Sequence, residues 1–175
     1  VDLAVIVVDV GCMSHAGDGR YSGTEESVHE LIGRFKPQFL YGFDPLLGRS
    51  MQRNHRRTKI SLKPHAAWLY DGYVKMHVNG IRSGITHDQA KRVKCFDFPE
   101  WIETALLGPH EIVLKLDCEG AEYPLLWAIH NRELDKRISL ILVEWHEGVQ
   151  WQGDNPSYGW HVMGRPPLRC PVEQW

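Results

Sequence analysis

The stretch Leu114-Lys115-Leu116-Asp117-Cys118-Glu119-Gly120-Ala121-Glu122 places four ionisable groups within eight residues at the end of an apolar run. Burying such a set costs several kcal/mol per ion unless the groups pair or line a solvated cleft, so a cleft is expected. Val143-Glu144-Trp145-His146-Glu147 repeats the pattern on a second apolar run. Carboxylates and an imidazole can take a proton from a hydroxyl, and imidazole has the unperturbed pKa, about 6.5, closest to neutral. Asp117, Glu119, Glu144 and His146 are therefore the candidate catalytic residues, with Asp117 and His146 favoured. A divalent metal held by Asp117, Glu119 and Glu144 is another way to acidify a hydroxyl, because hard cations favour carboxylate oxygen. Two earlier apolar runs also end in acids, at Val8-Asp9-Val10-Gly11 and Phe43-Asp44-Pro45. Gly11, Gly17 and Gly19 give the first loop the freedom to pass close to a ligand, and Asp44 is placed to accept hydrogen bonds from both hydroxyls of a ribose. Read singly, Asp9 caps a turn and Asp44-Pro45 starts a helix equally well.

These acids need a scaffold that brings strand ends together. Leu3 to Val10, Phe39 to Phe43, Ile112 to Leu116 and Ile138 to Val143 are near-continuous apolar runs, as parallel strands covered on both faces should be. Lys59 to Leu62, leading into Ala66 and Ala67, and Val93 to Phe96 are weaker candidates. Val28, Leu31, Ile32 and Phe35 recur at the helical period, Ser22 and Glu25 offer a capping box, and Pro37 ends the helix. Residues 3 to 43 thus read as a right-handed βαβ unit. A second unit starts at Ile112, with Leu125, Leu126 and Ile129 as the buried stripe of its helix. Tyr73, Lys75, His77 and Asn79 alternate with Val74, Met76 and Val78, which predicts a hairpin over Gly72 to Asp88. The alternation of strands and helices predicts an α/β fold with a mostly parallel central sheet and helices on both faces. In such sheets ligands lie beyond the carboxyl ends of the strands, where the acids are.

A chain of 175 residues, 43% apolar and 24% charged, fits one domain over residues 1–175. Its end, residues 148–175, is rich in Trp and Pro without period and is expected to be irregular or hairpin-like. Cys12, Cys95, Cys118 and Cys170 show no zinc-finger spacing, which suggests reduced thiols and a cytoplasmic setting. The run Leu3 to Val8 is too short to span a bilayer, so no membrane partner is expected. A net charge of -2 argues against a surface built for nucleic acid.

The motif over Leu114 to Glu122 resembles that of the FkbM-type class I S-adenosylmethionine-dependent methyltransferases, hydrophobic-Lys-hydrophobic-Asp-x-Glu-Gly-Ala-Glu. Val8 to Gly11 resembles the family's Asp-Val-Gly, Tyr41 to Pro45 its aromatic-acid-Pro, Lys63 to Gly72 its Ala-Ala stretch, and Phe96-Asp97 its Leu-Asp before a short helix. The similarity covers residues 4 to 147. One departure is that Cys12-Met13-Ser14-His15-Ala16-Gly17 stands where the family has small-Asn-x-Gly. The resemblance implies a Rossmann-like class I methyltransferase fold, abbreviated at the termini, with S-adenosyl-L-methionine as cofactor. It further implies Asp44 at the ribose, Asp9, Gly11, Cys12 and Gly17 near the methionine portion, and Asp97 beside the adenine, with Pro45 and Ala67 also cofactor-binding. Lys115, Glu122 and Trp145 are the candidate substrate-binding residues, and the acceptor is a small molecule carrying a hydroxyl, such as a carbohydrate or natural product.

Two rival functions use the same elements. An NAD-type oxidoreductase is disfavoured, because the loop after Gly11 does not spell G-x-G-x-x-G. A non-catalytic nucleotide- or nucleic-acid-binding module, or a nucleic-acid methyltransferase, would use Arg49, Arg53, Arg56, Arg57, Lys59 and Lys63, a stretch without acids. That stretch reads more simply as the solvated face of a helix. Trp127 is expected in the core, Trp145, Trp151 and Trp160 could stack on a sugar, and His65, His77 and His87 are expected on the surface.

Overall fold

Strands that are apolar along their whole length have no face to leave in water, and the chain covers them from both sides. The computed structural model describes residues 3–12, 25–77, 84–85, 91–146 and 165–175. In order these form β1 (Ala4–Val10), α1 (Glu25–Phe35), β2 (Phe39–Phe43), β3 (Met51–His55), β4 (Thr58–Lys63), β5 (Ala66–Trp68), β6 (Gly72–His77), β7 (Gly84–Ile85), β8 (Lys91–Asp97), α2 (Phe98–Ala105), β9 (His110–Leu116), α3 (Glu122–Asn131), β10 (Leu140–Val143) and β11 (Val172–Gln174). The fold is α/β. Its central sheet has the order β11-β10-β9-β1-β2-β4-β3, with every pair parallel except β3–β4. A smaller sheet has the order β5-β8-β6-β7, and β6 and β7 pair antiparallel as the alternation over Gly72 to Asp88 predicts.

Successive side chains of each strand go to opposite faces, so the sheet separates two cores. Val7, Leu40, Ile60 and Val113 pack with Val28, Leu31 and Ile32 of α1. Ile6, Val8, Ile112 and Leu114 pack with Phe98 and Ile102 of α2 and Leu125, Leu126 and Ile129 of α3. The first helix therefore covers one face and the other two cover the opposite one. Pro99 stands in the first turn of α2, where its missing N–H is harmless, and Asp97 caps that helix by accepting from the Glu100 N–H at 2.9 Å. Among the described residues no helix is long and apolar enough to cross a membrane, and the four cysteines are free thiols.

Two expectations change, those for the basic stretch and for Trp127. The basic stretch is not a helix face but the β3–β4 hairpin, turning at Arg56 with φ 54°. Ile60 and Leu62 are buried while Lys59 is exposed, a period of two that overrides the helical reading of the arginines. Of the chain end, residues 147–164 lie outside the described residues, and β11 joins the sheet edge parallel to β10, with Ile141 opposite Val172. Trp127 is half-buried against His130 rather than in the core. The capping box at Ser22, together with Gly17, Gly19, His87, Glu147, Trp151 and Trp160, lies outside the described residues, and the side chain of His77 does too.

The chain leaves β1 toward β2 on one side while β9 adds on the other, so strand order reverses beside β1. Backbone bonds carry the ladder one step past the strands there. The Gly11 N–H donates to the Phe43 carbonyl at 2.9 Å, Asp117 to Val10 at 3.0 Å, Asp44 to Lys63 at 3.1 Å and Glu144 to Leu116 at 2.9 Å. Five strand tips are thereby held side by side. Gly11 is required for this, since it has φ +78° and a Cβ there would lie 1.6 Å from the Asp117 carbonyl oxygen. Gly11→Ala is expected to destabilise the fold by at least about 2 kcal/mol, combining left-handed strain with a backbone clash; urea unfolding of the variant beside the parent chain measures it.

Candidate functional site

The tips of β1 and β9 meet through a buried ion pair. Lys115 is 1% exposed and its Nζ lies 3.2 Å from Asp9 Oδ1 and 3.2 Å from Asp117 Oδ2. It also donates to the Gly11 carbonyl at 3.0 Å. Burial alone would lower the lysine's pKa, but Asp9 and Asp117 outweigh it and hold the ammonium well above its usual range. Asp9 is fully buried and accepts a second bond, from Ser27 Oγ at 2.9 Å. Asp9, expected near the methionine portion of a cofactor, thus faces Lys115 and α1, and Lys115, expected at a substrate, is enclosed. Cys12 is likewise buried in the core under α1, where burial first, then Asp9 and Asp44, push its thiol well up.

Beyond β9 the chain turns through Cys118, Glu119 and Gly120 before α3 begins. Glu119 has φ 52° and Gly120 φ 99°, and a non-glycine residue in the left-handed region needs surrounding structure to hold it there. Glu122 supplies that hold. Fully buried, it accepts from the Cys118 N–H at 2.6 Å and the Gly120 N–H at 2.8 Å. Glu122, expected at a substrate, thus has both carboxylate oxygens engaged in shaping the loop.

The same carboxylate reaches His146, whose Nδ1 stands 3.0 Å from Glu122 Oε1. The ring's other face looks at three acids: Nε2 is 3.8 Å from Asp117 Oδ1, 3.7 Å from Glu119 Oε2 and 3.9 Å from Glu144 Oε1. All four candidate catalytic residues thus converge between the ends of β9 and β10. The bond to Glu122 raises the His146 pKa to about 9 against opposing burial, with the charges of Glu122, Glu119 and Asp117 adding to it. At neutral pH the ring is a cation, not the ready base that its ordinary pKa suggested. Burial, with Asp117, Glu122 and Glu144 adding to it, pushes the Glu119 carboxyl up from the usual range, while His146 opposes the shift. Trp145 is half-buried, its ring 5.2 Å from that of Tyr123, with Arg165 stacked over it at 4.3 Å.

On the other side of β1 lies a cavity of about 490 Å³ at the ends of β2, β4 and β8. Phe43, Phe96 and Trp101 form its aromatic wall, and Lys63, His65, Lys94 and Asp97 add polar groups. Phe43 and Trp101 stand edge to face at 4.9 Å, and Phe43 and Phe96 lie 4.7 Å apart. Asp44, next to Phe43, is 6% exposed and accepts the Leu46 N–H on Oδ1 at 2.8 Å; Pro45 beside it is half-buried. Asp97 lines the cavity, while also capping α2 and pairing with Arg132 at 3.2 Å. Ala67 is buried in the core and not on the cavity wall. His65 belongs to that wall instead of the open surface; burial first, then Lys94 and Lys63, lower its pKa.

Sequence reading missed Phe43, His65, Lys94 and Trp101 as parts of one wall. The signal available was the aromatic flanking of Asp44 and Asp97, since Phe43-Asp44 and Phe96-Asp97 repeat one another.

No protein-family model, curated protein or solved structure matches the chain.

Two measurements follow from this geometry. Lys115→Met leaves Asp9 and Asp117 without their cation and is expected to cost about 3–5 kcal/mol of stability in urea unfolding. In protein freed of divalent ions with a chelator, NMR titration of His146 is expected to give a midpoint near 9. Because that value lies above the unfolded one, about 6.5, the ring contributes stability that is complete below about 6.5 and lost as pH rises through about 9. Glu122→Gln shifts the midpoint downward.

Proposed function

We propose that this chain is an S-adenosylmethionine-dependent methyltransferase of Rossmann-like class I architecture that methylates a hydroxyl of a small molecule, a carbohydrate or natural product. The observation that carries the reading is the placement of acids at adjoining strand tips on both sides of β1. Asp44 follows β2 directly after Phe43, which lines an aromatic cavity whose wall Asp44 itself does not join, while Asp117, Glu119, Glu144 and His146 gather at the tips of β9 and β10. The resemblance of Leu114 to Glu122 to the FkbM motif supports the same assignment. These residues suit the cofactor chemically: a carboxylate for ribose hydroxyls, an aromatic wall for adenine, and an acid-rich edge facing a positively charged sulfur.

When bound, S-adenosylmethionine supplies a methyl group on a good leaving group, so the protein has mainly to align the acceptor oxygen and exclude water. Asp44 and the wall of Phe43, Phe96 and Trp101 orient the adenosyl portion. Trp145 offers a half-buried ring against which an acceptor can rest. Among the acids Glu119 is the best base. Its raised pKa brings it toward the working pH, whereas Asp117 is tied to Lys115 and His146 already carries its proton. Glu119 would take the proton of the acceptor hydroxyl.

A ligand that binds only the folded state raises the unfolding midpoint. S-adenosylhomocysteine is expected to raise it and NAD is not; a shift with NAD alone overturns the reading. Asp44→Asn is expected to lose the shift, and Glu119→Gln to keep it while losing turnover on a panel of hydroxyl acceptors. A second reading, nucleic-acid binding, has one feature in its favour, the exposed basic β3–β4 hairpin. RNA binding with a steep salt dependence would favour it.

A further inference from the structure

Side chains of two donor types meet between the ends of β9 and β10. One carboxylate oxygen of Asp117, one of Glu144 and one imidazole nitrogen of His146 all lie within 4.8 Å of one another. The separations of 3.8 Å and 3.9 Å from His146 Nε2 are too long for hydrogen bonds. Two ligands that each stand about 2.1 Å from one octahedral cation are separated by about 3 Å when adjacent and about 4.2 Å when opposite, so these donors are within the span of one ion and would draw together on binding it.

The imidazole is oriented for this. Its Nδ1 is held by Glu122, a fully buried carboxylate whose oxygens also fix the Cys118–Gly120 turn. A carboxylate behind a histidine is the outer partner that metal-bound imidazoles carry, and it leaves Nε2 facing the other two donors. Charge points the same way. The described ion pairs and contacts set Asp9, Asp117, Glu119, Glu122 and Glu144 against only Lys115 and His146, and Lys115 is shared with Asp9 on the far side of Asp117. The cleft therefore carries an excess of negative charge that a divalent ion would neutralise.

We propose that Asp117, Glu144 and His146 hold one divalent cation of the Mn²⁺ or Mg²⁺ kind, which takes the place of the proton on His146 Nε2, with Glu122 as the positioning residue for His146. Two carboxylates and one imidazole match such an ion better than the all-oxygen shell of Ca²⁺ or the thiolate-rich sites of structural Zn²⁺. Glu119, 3.7 Å from Nε2, lies outside the set of three and stays available to take a proton. What the ion would do rests on the methyl-transfer reading: it would polarise the acceptor oxygen and make its proton easier to remove. Its binding does not rest on that reading.

The test is a titration of the whole chain, freed of metal, with Mn²⁺, following free Mn²⁺ by electron paramagnetic resonance, with Mg²⁺ added as competitor. One Mn²⁺ per chain is expected, displaced by Mg²⁺. Glu144→Gln and His146→Gln should each weaken binding at least about tenfold, and Glu103→Gln, on α2, should leave it unchanged. If His146→Gln does not fold, Glu144→Gln decides, because that side chain is half exposed. Absence of saturable binding below about 1 mM, the weak end of biological divalent sites, overturns the proposal, as does binding that Glu144→Gln leaves unaltered. The unfolding midpoint with S-adenosylhomocysteine is read on the same samples. A shift without Mn²⁺ binding rejects the metal site alone, and Mn²⁺ binding without a shift rejects methyl transfer alone.

Discussion

Lys115 is the pin on which the carboxyl edge of the sheet is assembled. An ammonium that is 1% exposed survives only because two carboxylates and a backbone carbonyl replace its water. Those partners come from three places: Asp9 within β1, Gly11 just past it and Asp117 just past β9. Satisfying one cation therefore fixes where two strands end relative to each other. The close approach of Gly11 to the Asp117 carbonyl belongs to the same constraint, since a side chain at residue 11 would push the two tips apart.

From that fixed edge the site is built outward by a second buried group. Glu122 ties down the turn after β9 and also holds His146, which arrives from β10. One carboxylate thus couples the loop that carries Asp117 and Glu119 to the segment that carries Glu144. The acids are brought close although they repel, and the stability of the surrounding parallel ladder outweighs that repulsion. Such stored repulsion is useful at a site that receives positive charge, whether a sulfonium or a divalent ion.

The fold divides labour across β1. On the β2 side the groups are aromatic and apolar around Asp44 and Asp97, suited to a flat heterocycle. On the β9 side they are ionisable and half-exposed, suited to proton transfer or ion binding. Strand order reverses beside β1, between these two regions.

Much of this was legible in the residues. β2 was expected at Phe39 to Phe43 and is found there; β1, β9 and β10 follow the continuous apolar runs, because burial on both faces leaves that pattern in any sequence. The convergence of Asp117, Glu119, Glu144 and His146 was also foreseeable, since parallel strands put their carboxyl ends on one edge. The sequence could not say which acids would be consumed inside the protein. Asp9, Lys115 and Glu122 look as available as Asp117 and Glu119 when read along the chain. Only the packed structure buries the first three and leaves the other two at the cleft, because desolvation and pairing depend on neighbours that lie far away in sequence. The protonation of His146 was out of reach for the same reason: Glu122 sits 24 residues before it, and no local pattern announces that bond. Sequence alone determined the alternation of strands and helices and the edge on which chemistry could occur. Tertiary structure decided which charges hold that edge together and which remain free to act.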